Sequence, residues 1–120
     1  MSKKTPTVIG ITAASSGTGK TTLIEKLIPD LLHKNINVSV VKHAHHNFDI
    51  DYPGKDSYRL RTSGAFQTLI FNKKRSALIT EYTQESETLE KMIAQMDQGV
   101  DLIIVEGLRE GEFKKIEVYR

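Results

Sequence analysis

Apolar residues in this chain follow two rhythms. Unbroken, β-branched runs occupy residues 7–14 (TVIGITAA), 38–42 (VSVVK) and 101–105 (DLIIV), and such runs predict strands buried on both faces. Another run at 115–119 (KIEVY) reads as a strand, and 65–71 (AFQTLIF) and 77–82 (ALITEY) are strand-like segments around a basic turn at 72–76. Helical spacing takes over between them. Leu23, Ile24, Leu27, Ile28, Leu31 and Leu32 mark a helix over 21–34, in which Pro29 predicts a bend or a restart. Leu89, Met92, Ile93 and Met96 share one face of a helix over 85–96 that Gly99 would end. A short helix over 57–62 would be capped by Asp56 and closed by Gly64. Strands alternating with helices predict an α/β fold, a mostly parallel sheet with helices on both faces. With 120 residues and no internal repeat, a single domain over 1–120 is expected.

The junction of the first strand and first helix carries the clearest chemistry. Residues 13–22 read AASSGTGKTT, close to the phosphate-loop pattern G-x-x-x-x-G-K-[ST], with Ala14 at the leading position. Ser16, Gly17, Thr18 and Gly19 would curl around phosphate oxygens, the glycines because no Cβ stands in the way. The helix that follows presents free N–H groups and a partial positive charge. Lys20 would reach the β- and γ-phosphates, the Thr21 hydroxyl would coordinate magnesium, and Thr22 would help hold the α-phosphate region. These residues predict a P-loop nucleotide-binding domain.

Such sites usually hold a second acidic residue on a neighbouring strand, close to the magnesium. Asp101 and Glu106 bracket the strand LIIV, about 16 Å apart, so both cannot serve. If this strand runs parallel to the first, Glu106 stands at the carboxyl edge where ligands gather, and Asp101 starts the strand at the far edge. Gly107 would let the chain turn away.

A polar loop over 43–55 contains His43, His45 and His46, followed by Asp49 and Asp51. On the same edge reasoning it emerges near the phosphates. Lys42 and the histidines would contact an anionic ligand, and Asp49 or Asp51 would approach the nucleotide magnesium as a mobile switch. A solvated polar loop is the plain alternative. Lys55 and Arg59 lie four apart and could clamp a second phosphate from one helix face, or be ordinary surface charges. The segment Asn72-Lys73-Lys74-Arg75 lacks the aspartate of the guanine-reading N-K-x-D motif and is silent about the base.

Composition narrows the classes. Lys plus Arg number 17 against 15 Asp plus Glu, a net charge of +2, which makes no case for nucleic acid or a membrane surface as partner. The absence of cysteine removes disulfides, thiolate catalysis and zinc–thiolate sites. No apolar stretch approaches the roughly 20 residues that span a bilayer, and no signal peptide is read at the start, so a cytoplasmic location is expected.

Taken together, ASSGTGKTTL, KHAHHNFDIDYPGKDSYRLRTSGA and DLIIVEGLR resemble, in order and spacing, the molybdopterin-guanine dinucleotide biosynthesis protein B family. Its members are P-loop GTP-binding adapters of molybdenum cofactor maturation. The resemblance implies GTP and magnesium held by Gly17, Gly19, Lys20, Thr21 and Thr22. It implies His43, Asp49 and Asp51 near the nucleotide, with Glu106 and Gly107 in the second phosphate-side motif. On this reading the metal ligands are Thr21, Glu106 and Asp51, and slow GTP hydrolysis would fall to Lys20, Asp51 and Glu106. The resemblance further implies a homodimer that assists the guanylyltransferase attaching GMP to the molybdopterin cofactor. Asn47 departs from the family, in which an aspartate often follows the histidines, and family members usually continue past the strand at 115–119. Two other classes compete: a P-loop small-molecule kinase, with Lys55, Arg59 and Arg61 on the acceptor, and a nickel or zinc chaperone using the three loop histidines.

Overall fold

The computed structural model describes residues 5–13, 19–44, 48, 50–51, 53–82, 88–108 and 113–118. They belong to two compact units, one formed by residues 1–45 with 87–120 and the other by 46–86.

The first unit is built on a four-stranded sheet in the order β2-β5-β1-β6. β1 spans Thr7–Ala13, β2 Val38–Lys42, β5 Leu102–Glu106 and β6 Lys114–Val118, and every pairing among them is parallel. The sequence pattern therefore located all four strands. β5 lies between β1 and β2 and is covered on both faces, with Ile103, Ile104 and Val105 buried. This explains its unbroken apolar run. Helix α1, Lys20–His33, packs Ile24 against Ile11 and Ile104, with Leu23, Ile28, Val38, Leu102 and Val118 around them. Burying each such side chain contributes roughly 1.5–3 kcal/mol.

α1 runs through Pro29, so no restart occurs there. The proline is exposed and costs one helical hydrogen bond, while packing of the preceding turns on the sheet keeps the helix assembled. On the opposite face of the sheet the Phe113 ring lies against Gly10, where any Cβ would collide with it. Lys115 reaches back over that ring, 4.5 Å from its centroid. Helix α3 is shorter than its pattern predicts: it covers Leu89–Ala94, with the Thr88 hydroxyl accepting from Lys91 N at 3.3 Å and Gln95 as its C-cap. Gly99 is thus not its terminator. A serine/threonine-type N-cap sets the start more firmly than the apolar stripe does.

The second unit holds α2, Asp56–Thr62, and an antiparallel hairpin of β3, Gln67–Phe71, and β4, Ser76–Thr80. α2 packs on β3. Lys55 occupies the N-cap in an extended conformation, so Asp56 is the first helical residue rather than the cap. Gly64 does follow the helix at φ 118°, a conformation for which glycine is suited. The hairpin turn is fastened by Asn72, whose Oδ1 accepts from the backbone N–H groups of Lys74 (2.8 Å) and Arg75 (3.0 Å). The hairpin is a separate two-stranded sheet, because its strands pair with each other and with no third strand among the described residues. No helix among the described residues is long and apolar enough to cross a membrane.

Candidate functional site

The chain leaves β1 at Ala13 and enters α1 at Lys20. Between them, Ser16, Gly17 and Thr18 of the predicted phosphate loop lie outside the described residues. Gly19 is described, and it is the N-cap of α1 at φ 94° and ψ 20°. A residue with a side chain pays a strain of ~1–2 kcal/mol in that conformation, so glycine is the residue that lets the loop turn into the helix there. Gly19 has no side chain to cap the helix start, and among the described residues no other side chain does so; the N–H groups of a helix's first turn have no partner within the helix.

Thr21 sits on this first turn, and its hydroxyl donates a 2.9 Å hydrogen bond to Oε1 of Glu106. Glu106 is the last residue of β5, in register with Ile11 of β1 and Lys42 of β2. Glu106 is 7% exposed, and among the described residues no lysine, arginine or histidine forms an ion pair with it. A nearly buried carboxylate that receives one hydroxyl hydrogen bond is an oxygen-rich arrangement suited to a hard divalent cation. The parallel direction of β5 thus puts Glu106 at the carboxyl edge. Asp101 stands at the opposite edge, where its Oδ2 accepts from Asn37 N (2.8 Å) and its carbonyl from Thr7 N (3.0 Å). Asp101 fastens the starts of three strands.

The backbone around Glu106 is tied on both sides. His43 N donates to Glu106 O at 3.0 Å, and Gly107 N donates to Ile11 O at 3.1 Å. Gly107 adopts φ 91°, and a Cβ there would come within 3.2 Å of His43 O. His43 is therefore joined to this edge through its backbone. Lys20 begins α1, and Thr22 is exposed on the same turn. Asp49, His45 and His46 lie outside the described residues, and no metal-ligand cluster of three or more histidine or acidic side chains occurs among the described ones.

Asp51 belongs to the second unit. It is buried, and its Oδ1 takes a 2.9 Å ion pair from Arg61, whose other nitrogen reaches Glu81 at 3.0 Å and whose guanidinium lies over Tyr58. The Arg61 hydrogen bond, opposed by burial, holds the Asp51 carboxyl below its ordinary value, with help from the Arg61 charge, the Ser57 side chain and its own backbone. Oδ2 of Asp51 is buried and has no hydrogen-bond partner among the described residues. Pattern reading missed that Arg61 pairs with Asp51 and Glu81. The two residues lie ten positions apart, Arg61 on α2 and Asp51 before it, so no single periodicity signals the pair. Lys55 and Arg59 do not share a helical face, because Lys55 is still extended.

Comparison with known proteins supplies what geometry does not. Residues 8–120 match the family model MobB, molybdopterin guanine dinucleotide synthesis protein B. A molybdopterin-guanine dinucleotide biosynthesis adapter protein of Escherichia coli (strain K12) is 49% identical over 110 residues, covering 90% of this chain and 63% of that protein. Its Haemophilus influenzae counterpart is 44% identical over 114 residues, covering 94% of this chain and 63% of that protein. The chain thus spans 63% of the length of these curated relatives. Among solved structures, the crystal structure of molybdopterin-guanine biosynthesis protein B matches at a TM-score of 0.72 and 28% identity, over 92% of this chain and 67% of that one. Bacillus subtilis MobB also matches at 0.72, with 20% identity over 94% of this chain and 68% of that one, a likeness of fold alone.

Proposed function

This chain belongs to the molybdopterin guanine dinucleotide synthesis protein B family, and from that premise we propose that it is a magnesium-dependent GTP-binding adapter, working as a homodimer, that assists the guanylyltransferase converting the molybdopterin cofactor to its guanine dinucleotide form. The observation that carries the nucleotide part is the Thr21–Glu106 hydrogen bond at the carboxyl edge, beside a helix start whose N-cap is Gly19.

Each residue has a physical task in this reading. Lys20 balances the charge of the β- and γ-phosphates, and Gly19 opens the first turn of α1 toward them. The Thr21 hydroxyl spends its proton on Glu106, which leaves its lone pairs for a cation. Thr21 and Glu106 are therefore the residues that would hold magnesium, a hard ion suited to hydroxyl and carboxylate oxygens. Bound there, the ion supplies neutralisation of phosphate charge. The backbone bonds of Glu106 and Gly107 to His43 and Ile11 fix the main chain from which the carboxylate extends, and the Thr21 hydroxyl orients the carboxylate itself. Hydrolysis is slow in this proposal, because an adapter responds to the nucleotide rather than consuming it rapidly.

Calorimetric titration of GTP and of ATP, each with and without magnesium, tests the proposal. Magnesium-dependent binding with a clear preference for GTP is expected. Equal binding of the two would remove the guanine-specific part, and binding of neither would remove the nucleotide assignment.

A further inference from the structure

The row of side chains across the carboxyl edge of the parallel sheet contains a lysine that the Thr21–Glu106 bond leaves unused. Ile11, Glu106 and Lys42 are register partners on β1, β5 and β2. Side chains alternate between the two faces along a strand, and partners in a parallel pair share a face. Ile11 packs against Ile24 of α1, so this row lies on the helix side of the sheet. Two valines of β2 agree with that placement. Val38 packs on the same apolar cluster, and Val40 is the partner of Ile104, a member of it. Lys42, four and two positions further on, stands on the same side, next to Glu106.

Neighbouring strands are about 4.7–4.9 Å apart, and opposite charges side by side at that spacing attract each other. Lys42 and Glu106 nevertheless form no ion pair. The nearly buried carboxylate takes the Thr21 hydroxyl instead, while Lys42 is exposed and has no ion pair among the described residues. Its main chain is anchored, because the next residue, His43, donates its N–H to Glu106 O at 3.0 Å. The edge thus presents a cation held at its root, next to a carboxylate that it does not neutralise.

Strand order gives this cation a direction. β5 separates β2 from β1, and β1 leads to Gly19 and Lys20 at the start of α1. Glu106 therefore lies between the strand that feeds the helix start and the strand that carries Lys42. In the proposed function a divalent cation sits at Thr21 and Glu106, and the phosphate chain runs from the helix start past that ion. The terminal phosphate is the group that reaches furthest toward β2. It brings ~1.5–2 negative charges close to a carboxylate of the same sign.

We propose that Lys42 recognises the terminal phosphate of a nucleoside triphosphate, so that the site distinguishes triphosphate from diphosphate. The ammonium donors of Lys42 replace water around the terminal oxygens, and its charge offsets the repulsion from Glu106. Lys20 also serves the β-phosphate, which both ligands possess, so it discriminates between them less. The inference rests on the nucleotide reading of the proposed function and adds to it the residue that reads the third phosphate.

Calorimetric titration of GTP and of GDP, each with magnesium, into wild type and Lys42→Met tests it; methionine keeps a long unbranched side chain without the charge. Wild type is expected to bind GTP more tightly than GDP. Lys42→Met is expected to lose GTP affinity by about tenfold or more, as loss of a charge-assisted contact does, while GDP affinity changes by less than about twofold, the scale of a screened surface charge. Lys42→Arg, which restores the charge, is expected to recover most of the GTP affinity. Circular dichroism and the urea midpoint should stay at the wild-type values, because the side chain is exposed. Equal losses for GTP and GDP would reduce Lys42 to a general positive charge and overturn the proposal, and unchanged binding of both would also overturn it. A wild type that binds both nucleotides without preferring GTP overturns it while leaving the nucleotide site standing. Binding of neither nucleotide by wild type removes the nucleotide reading itself, and the proposal with it.

Discussion

The hydroxyl of Thr21 and the carboxylate of Glu106, 85 positions apart in the chain, are joined by a 2.9 Å hydrogen bond. One residue opens α1 and the other ends β5, so the bond links the helix start to the carboxyl edge of the sheet. Removing the hydroxyl leaves a nearly buried carboxylate unpartnered, which costs ~1–3 kcal/mol. Thr21→Val is expected to lose about that much in urea unfolding and to bind nucleotide equally with and without magnesium. Thr21→Ser, which keeps the hydroxyl, is expected to retain both properties.

Lys20 is expected to matter for ligand and not for fold. It begins α1 at the edge of the sheet and contributes nothing to the core cluster. Lys20→Ala should lower nucleotide affinity by roughly two orders of magnitude, as loss of a charge-assisted contact does, with an unchanged unfolding midpoint. Calorimetry beside a denaturation curve separates the two effects, and wild-type affinity would remove Lys20 from the site.

Gly107 holds φ 91° with His43 O close to where its Cβ would be. Gly107→Ala is expected to destabilise the protein by about 1–2 kcal/mol, and to weaken magnesium-dependent binding because Glu106 is the neighbouring residue. A variant with wild-type stability and binding would show that the turn relaxes freely.

On the other face of the sheet, Gly10→Ala drives a methyl group into the Phe113 ring. An overpacked position of this kind costs about 1–3 kcal/mol. The double variant with Phe113→Leu should recover part of the loss, since the smaller side chain vacates the space. Additive losses in urea unfolding would contradict the contact.

Asp51 makes the second unit sensitive to acid. Its carboxyl is depressed by Arg61, so the pair contributes stability above the unfolded carboxylate value, and that stability is lost as pH falls through the depressed folded value. Amide protection in α2 and the β3–β4 hairpin is expected to decline at the acid end in wild type. In Asp51→Asn it should start lower and lose this pH dependence. The same acid decline in both proteins would assign it to other groups.

The amino-acid sequence by itself determined the strands of the parallel sheet and the helix after the first strand, because periodicity and turn chemistry are local properties of the chain. It also marked Lys20, Thr21 and Glu106 as residues of one edge, through the expected direction of the strand before Gly107. Only the tertiary structure decided that β5 inserts between β1 and β2 and brings Glu106 to the hydroxyl of Thr21. Only it decided that Arg61 closes on Asp51 and Glu81, and that β3 and β4 stand apart as their own sheet. Those outcomes depend on which distant segments pack and pair, a competition of burial and hydrogen bonding across the whole chain that no local pattern records.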